Sequence, residues 1–526
     1  MKPFVLLRKR ENHLDNKKNR IKTVGLIMGI TMLGKVMGLV RDMLLGHNFG
    51  TGMESAAFLT ASRIPRTFFD AIFAAAISAS FIPIFARRME QHGKEDAFRL
   101  SRCFFTWMGL LTAAMSLLGM AFAEPLVGLL AEGFDAETAS LCAQLLRILF
   151  PTVFFTGIAF SMVGVLQSMG EFYIPAALSV ASNGIIILYY LLFCRKFGIY
   201  GLAWAFLLGW AVQAVMQMPW LHKNKFRYRP CFRHPALKNV FLLMLPVMVS
   251  TWIQPVNQLI STRFASFLFE GAGASAMEYA NTLYTMVAGI LVLSITNVMF
   301  PEMSRLSSVG QDKELGQLIG GTLRGMLFLL LPMTAGLMLL SQPVIRLLYQ
   351  YKTWDAFSTQ ITARALCFMS LGMVGYGIQN VLSRAFYAQQ DGKAPMISGA
   401  VSIVVNLILC LLLSNRLDVA GLSIATAASS TVSAVLLLIP TIRRYPNMLD
   451  RQFWGNMLKM IVCTAGMAAA VWFAGHGLSL ALGDGLPARL LQVGIPTLVG
   501  VIVYFLLALA LGLEELQAIR RRIRRT

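Results

Sequence analysis

Residues 35–83 read KVMGLVRDMLLGHNFGTGMESAAFLTASRIPRTFFDAIFAAAISASFIP. The stretch predicts two consecutive membrane helices joined by a short Gly-rich turn. Both helices carry cations where lipid tails exclude them: Lys35 and Arg41 on the first, Arg63 and Arg66 on the second. A charge at membrane depth costs several kcal/mol, with estimates from about 2.5 to over 10. Such groups are usually turned toward a bundle interior or a water-filled cavity. We expect these cations to line a cavity that holds an anionic ligand, with the rest of the chain as its walls.

The composition around this stretch is that of a polytopic membrane protein. Of 526 residues, 56% are hydrophobic and 13% charged, with mean hydropathy +0.64. A soluble domain is about 25% charged. The net charge of +21 does not point to nucleic acid, because the cations sit mainly between apolar segments. Topology explains them, since cytoplasmic loops collect Lys and Arg. Seven scattered cysteines, without a CxxC, argue against a disulfide framework or a zinc site. The N-terminus, MKPFVLLRKR, has too short an apolar run for a cleavable signal.

A span needs about 20 apolar residues. Fourteen candidates lie near 23–47, 54–86, 98–122, 136–168, 173–194, 199–221, 238–267, 275–303, 315–341, 357–388, 395–414, 419–442, 454–475 and 489–512. With both termini inside, the basic loops fall on the cytoplasmic face: Arg8 to Lys22, Arg87 to Arg102, Lys223 to Lys238, Arg443 to Arg451 and Arg520 to Arg525. The alternation supports an all-α fold of about fourteen transmembrane helices.

The chain also repeats. CAQLLRILFPTVFFTGIAFSMVGVLQSMGEFYIPAALS (142–179) resembles TARALCFMSLGMVGYGIQNVLSRAFYAQQDGKAPMISG (362–399), aligning Pro175 with Pro395. FIPIFARRM (81–89) parallels MFPEMSRL (299–306), and MESAAF (53–58) parallels MEYANT (277–282). Two six-helix lobes in the same orientation, plus two C-terminal helices, make an alternating-access architecture. The expected domains are a basic N-terminus 1–22, an N-lobe 23–222, a basic linker 223–237, a C-lobe 238–445, a helix pair 446–512 and a basic tail 513–526.

Within the opening stretch, Asp42 and Asp70 are candidate counter-ions. Lys35 and Asp42 share one helix face; Arg63, Arg66 and Asp70 share another. Arg66 and Asp70 also read as a structural pair. Four cations against two acids leave a surplus that suits a diphosphate, which Arg binds bidentately and Lys as a point charge. The plainer reading of each cation is an internal pair or a snorkelling side chain. The second lobe offers Gln254, Asn257 and Arg263, then Asn281. Its amides either face the cavity or join helices. No P-loop, GxSxG, HExxH or Cys/His cluster is present, so no intrinsic ATPase, enzyme site or metal site is expected.

GLVRDMLLGHNFGTG (38–52), RIPRTFFDAIFAAAISASFIPIF (63–85), YANTLYTMVAGILVLSITNVMFPEMSRL (279–306) and FYAQQDGKAP (386–395) together resemble the MurJ (MviN) family of lipid II flippases. This family lies within the multidrug/oligosaccharidyl-lipid/polysaccharide exporter superfamily. The resemblance implies a bacterial plasma-membrane transporter. It would carry the undecaprenyl-diphosphate-linked muropeptide, lipid II, from the inner to the outer leaflet for cell-wall synthesis. It would work by alternating access and serve the cell-wall synthesis machinery. The family's cavity cations fall on Lys35, Arg41 and Arg63, and its lipid-tail groove on roughly 454–512. No cofactor is expected; an ion gradient or the membrane potential would drive the cycle. The family's proposed sodium site uses acids of the second lobe, and none is placed on this chain. Three further positions depart from the family pattern: Ala56, Phe69 and Thr282 stand where relatives carry charge. They leave open another polyprenyl-diphosphate-linked oligosaccharide, or a drug, as cargo. A non-transporting cell-wall scaffold is the alternative of a different class.

Overall fold

The computed structural model describes residues 2–481, 483 and 485–516. It describes their side chains except at 2–24, 67–75, 78–79, 246, 249–251, 253–254, 447 and 481. Helices dominate. They run α1 (Lys2–Phe49), α2 (Met53–Ala76), α3 (Ile82–Ala121), α4 (Ala123–Leu130), α5 (Ala136–Leu149), α6 (Thr152–Ser168), α7 (Tyr173–Leu192), α8 (Cys194–Val215) and α9 (Met218–Lys223). After a linker come α10 (Leu237–Thr251), α11 (Ile253–Ser266), α12 (Ala272–Tyr284), α13 (Ile290–Ser308), α14 (Asp312–Leu339) and α15 (Ser341–Tyr349). The last are α16 (Ala356–Ser370), α17 (Met373–Ala388), α18 (Lys393–Arg444), α19 (Arg451–Ala481) and α20 (Leu486–Ala510).

Among the described residues, nine helical stretches are long and apolar enough to cross a membrane, or ten with the bent pair α16–α17. One of these, α18, holds two of the expected spans on either side of a break at Asp418 (φ 53°, ψ −135°). The expected spans outside this set lie in α1, α2 and α10–α11; α10 and α11, at 15 and 14 residues, are each too short to cross alone.

The internal repeat is written in the backbone. Gly198 (φ 54°, ψ −145°) breaks α8 220 positions before Asp418 breaks α18. Gly170 and Gln390, also 220 apart, both take positive φ just after a helix, where the C-cap needs a left-handed residue. In both, the following N–H reaches back to a carbonyl of the last turn: Glu171 to Leu166 at 2.9 Å, Asp391 to Phe386 at 3.0 Å. Two π-turns, Ile77–Phe81 and Thr285–Gly289, interrupt the helices that follow the first in each half. Such turns mark places where the i→i−4 ladder slips.

The chain packs as two compact units. The first contains the chain up to Leu44, Ala61–Ala123 and Ala143–Thr251. Its core includes a run of rings, Phe81, Phe85, Phe98 and Phe104, and α10 packs against the π-turn 77–81. The linker lies on α3: Phe226 packs edge-on against Phe98, and Cys231 is joined to Cys103 by a disulfide. That bond corrects the reading of the scattered cysteines as arguing against a disulfide framework. The two are 128 positions apart, and spacing rules see only local pairs.

The second unit contains Leu45–Thr60, Glu124–Cys142 and the chain from Trp252. Its apolar core runs through Leu323, Phe328, Leu382 and Tyr504, whose hydroxyl donates to the Phe328 carbonyl at 2.6 Å. Trp354 is 3% exposed and sits among Tyr279 and Tyr349, both 5.0 Å away by ring centroid, with Gly46 against its face. Trp354→Ala is expected to cost about 3–5 kcal/mol, the usual range for emptying a buried aromatic site. Thermal unfolding of the purified protein in detergent checks this.

Candidate functional site

In the first unit the site is built around Arg41 on α1. Its Nε donates to Asp42 Oδ1 at 2.9 Å and one terminal nitrogen to Asn183 Oδ1 at 3.1 Å. The other lies 2.8 Å from Asp42, and the guanidinium stacks over the Phe206 ring at 5.3 Å. Asn183 on α7 is 6% exposed, and its amide nitrogen donates to the Gly34 carbonyl at 3.1 Å. α1 can come this close because Gly34 and Gly38 lack side chains: a Cβ at Gly34 would touch Ser179 at 3.0 Å, and one at Gly38 would touch Asn183 at 3.6 Å. The guanidinium is thus half-buried and aimed by three partners on α1, α7 and α8. The Arg41 charge exists whatever the backbone does, but its direction is fixed by Asn183 and Phe206. Neither was singled out from sequence. An amide inside the apolar span 173–194 was the available signal.

Arg63 lies on α2 and is 8% exposed; Arg66, one turn on, is half-buried. Lys35 is exposed on α1. The Asp70 side chain lies outside the described residues, as does that of Phe69. The first unit therefore carries Lys35, Arg41, Arg63 and Arg66, with Asp42 committed to Arg41.

The expected second-lobe residues separate. Arg263, at the end of α11, forms an ion pair with Glu132 in the turn after α4. Asn257 joins α11 to α18: its side-chain nitrogen donates to Ser402 Oγ at 3.3 Å and its backbone carbonyl accepts from Asn406 Nδ2 at 3.3 Å. Ser261 and Thr426 extend this uncharged cluster. Asn281 is half-buried, and its backbone carbonyl accepts from Thr285 Oγ1 at 2.8 Å beside the π-turn. The Gln254 side chain lies outside the described residues. Of the departures, Ala56 is fully buried near Gly271, and Thr282 is half-buried. A groove of about 290 Å³ between α17 and α18 is lined by apolar residues and Thr431 and includes none of these cations. Among the described residues, no group of three or more His, Cys, Asp or Glu could hold a metal.

Helical repeats, long apolar spans and a guanidinium held inside a helical unit define a polytopic transporter. The fold agrees: a solved "Lipid II flippase MurJ, inward closed conformation" superposes with TM-score 0.78 at 23% identity, covering 92% of this chain and 98% of that one. An inward-facing multidrug resistance MATE family transporter of the MOP superfamily superposes with TM-score 0.68 at 17% identity, covering 80% and 98%. The chain belongs to the lipid II flippase MurJ family, whose model matches residues 45–511. It is 30% identical over 533 residues to a probable lipid II flippase MurJ of Rhizobium meliloti (strain 1021), with 96% of each chain covered. It is 28% identical over 439 residues to the lipid II flippase MurJ of Burkholderia cenocepacia, covering 80% and 83%.

Proposed function

We propose that this protein carries lipid II from the inner to the outer leaflet by alternating access, with both termini in the cytoplasm. The carrying observation is Arg41, whose charge is kept inside a helical unit by Asp42, Asn183 and Phe206. In this reading Arg41, Arg63 and Lys35 neutralise the diphosphate, and Arg66 adds to the field. A guanidinium that already has a carboxylate partner exchanges one anion for another without exposing a bare charge, which lowers the cost of loading and release. Binding energy shifts the balance of inward- and outward-open states only through a difference in affinity between them.

Arg263, with Glu132, belongs to the second lobe's end of the path. Glu132 holds the cation when no diphosphate does. Asn257 and Asn281 make uncharged contacts. No covalent step and no ATP hydrolysis takes part; the driving force is an ion gradient or the membrane potential. The pair α19–α20 takes the lipid tail, and cell-wall synthesis enzymes consume the exported precursor.

The test is to make this protein the sole flippase of a bacterium depleted of its own and to measure lipid II exposed on the outer leaflet. Restored exposure is the expected result. A folded, inserted protein that restores none overturns the cargo. The second reading then applies, another polyprenyl-diphosphate-linked oligosaccharide, which the uncharged residues at Ala56 and Thr282 favour.

Opposite-charge tests probe the second lobe. Glu132→Gln frees Arg263 and is expected to change transport by no more than about threefold, because exposed ion pairs are worth at most about 1 kcal/mol. Arg263→Ala removes the diphosphate partner and is expected to lower transport further than Glu132→Gln. Equal effects would confine Arg263 to a structural role.

A further inference from the structure

We infer that Cys103 and Cys231 form a reversible redox modification site, which locks the strap between α9 and α10 onto α3. The strap, residues 224–236, is tied down at several points on the part of α3 that follows a break at Gly93 (φ 83°, ψ 175°). Cys231 N–H donates to Thr106 Oγ1 at 3.1 Å, Tyr228 and Thr106 hydroxyls are 3.1 Å apart, and Trp107 Nε1 donates to the Phe232 carbonyl at 3.0 Å. His234 sits 3.3 Å from Asp96, which also faces Arg88. These polar contacts are individually weak. The disulfide is the one covalent tie among them, with Cα atoms 4.3 Å apart.

The two sulfurs differ in access. Cys103 is fully buried, whereas Cys231 is half-buried on a strap whose Arg227, Arg229 and Arg233 are exposed. A small anionic disulfide such as oxidised glutathione is drawn to that cationic edge and meets Cys231 first. The Cys231 thiolate attacks one sulfur of the oxidant and expels one glutathione thiolate, leaving a mixed disulfide. The Cys103 thiolate then attacks Cys231 Sγ and expels the second. Two protein thiols lose two electrons and two protons, and one oxidised glutathione becomes two reduced. Excess small thiol runs the same exchange backward.

The lock matters because of what the strap leads into. α10 follows it directly and packs against the π-turn 77–81, and Phe241 on α10 stacks near Phe104 beside Cys103. That turn ends the helix carrying Arg63 and Arg66. A fastened strap therefore restrains α10 against the interrupted helix that holds two of the transport cations, and it slows any cycle in which they must part. The link to transport rests on the flippase reading with a cytoplasmic strap, where small thiols keep the exchange reversible.

The experiment uses the full chain in native membrane vesicles, treated with oxidised glutathione or with dithiothreitol. Counted after denaturation in detergent, maleimide-reactive thiols are expected to fall by two on oxidation, and to do so in neither Cys103→Ser nor Cys231→Ser. Trypsin cleavage after Arg227 and Arg233 should slow by about tenfold or more, the scale on which a cross-link restrains a loop. Lipid II transport should fall with it, and Cys231→Ser should ignore oxidant in both assays. An unchanged thiol count overturns the site. So does a cross-link that alters neither cleavage nor transport. Labelling of Cys231 by an impermeant maleimide in intact cells overturns reversibility, because the strap then faces outside. If no lipid II moves in either state while cleavage still tracks oxidation, the lock stands and the cargo assignment fails.

Discussion

Arg41→Ala will insert and accumulate like the parent chain, yet it will move cargo at least about tenfold more slowly. The removed side chain is hydrogen-bonded to the Asp42 carboxylate and to Asn183 and lies over the Phe206 ring, with Asn183 and Phe206 buried. A hydrogen bond to a charged group is worth about 1.5–3 kcal/mol, and about 1.4 kcal/mol is a factor of ten in rate. The loss falls on transport because a lone Asp42 remains, and it repels the anion that Arg41 would attract. Arg41→Lys keeps the charge but cannot reach Asp42 and Asn183 together, since an ammonium lacks the planar fork. It should fall between the two. Outer-leaflet lipid II exposure, normalised to protein in the membrane, reads all three. An Arg41→Ala chain as active as the parent would leave Arg41 a structural group only.

Gly133→Ala is expected to damage stability out of proportion to its size. An added Cβ would stand 2.4 Å from the Phe267 backbone nitrogen and 2.6 Å from its Cα. Backbone cannot rotate away as a side-chain tip can. The turn is also stitched at this point: Gly133 N–H donates to Ser266 Oγ at 3.0 Å, and the neighbouring Glu132 holds Arg263. Overpacking of this kind costs about 1–3 kcal/mol, and more where the obstacle is main chain. Gly128→Ala, five positions earlier in α4, meets nothing within 4 Å and should be neutral or slightly stabilising, as alanine is the better helix former. Paired melting curves in detergent separate them. Equal melting temperatures would mean that the turn relocates freely.

Much of this was legible in the chain before any coordinates. Apolar spans, the offset of 220 and the cations at 35, 41, 63 and 66 are all written locally, so periodicity and spacing expose them. The family followed from four motifs. What stayed hidden was pairing at a distance. Asn183 lies 142 positions from Arg41, and Cys231 lies 128 from Cys103; nothing in either neighbourhood names its partner. The helix breaks were half-visible. Gly93 and Gly198 advertise a left-handed turn, but Asp418 does the same work without a glycine and reads as ordinary helix sequence. The two π-turns carry no proline or glycine pair that would set ISASF or TMVAG apart.

The boundary between the units does not fall where the repeat does. Leu45–Thr60 and Glu124–Cys142 are encoded in the first half but packed with the second. Thr51 meets Ser358, Ser55 meets Tyr279, and Glu132 meets Arg263. During synthesis these two early segments leave the ribosome hundreds of residues before their partners exist. They must wait in the membrane, incompletely packed, until the second half arrives to receive them. The duplicated halves are therefore not interchangeable modules. A gene cut at codon 251 would yield one fragment with unclaimed turns and another with an open seat for them, and only their co-expression could restore the native set of contacts.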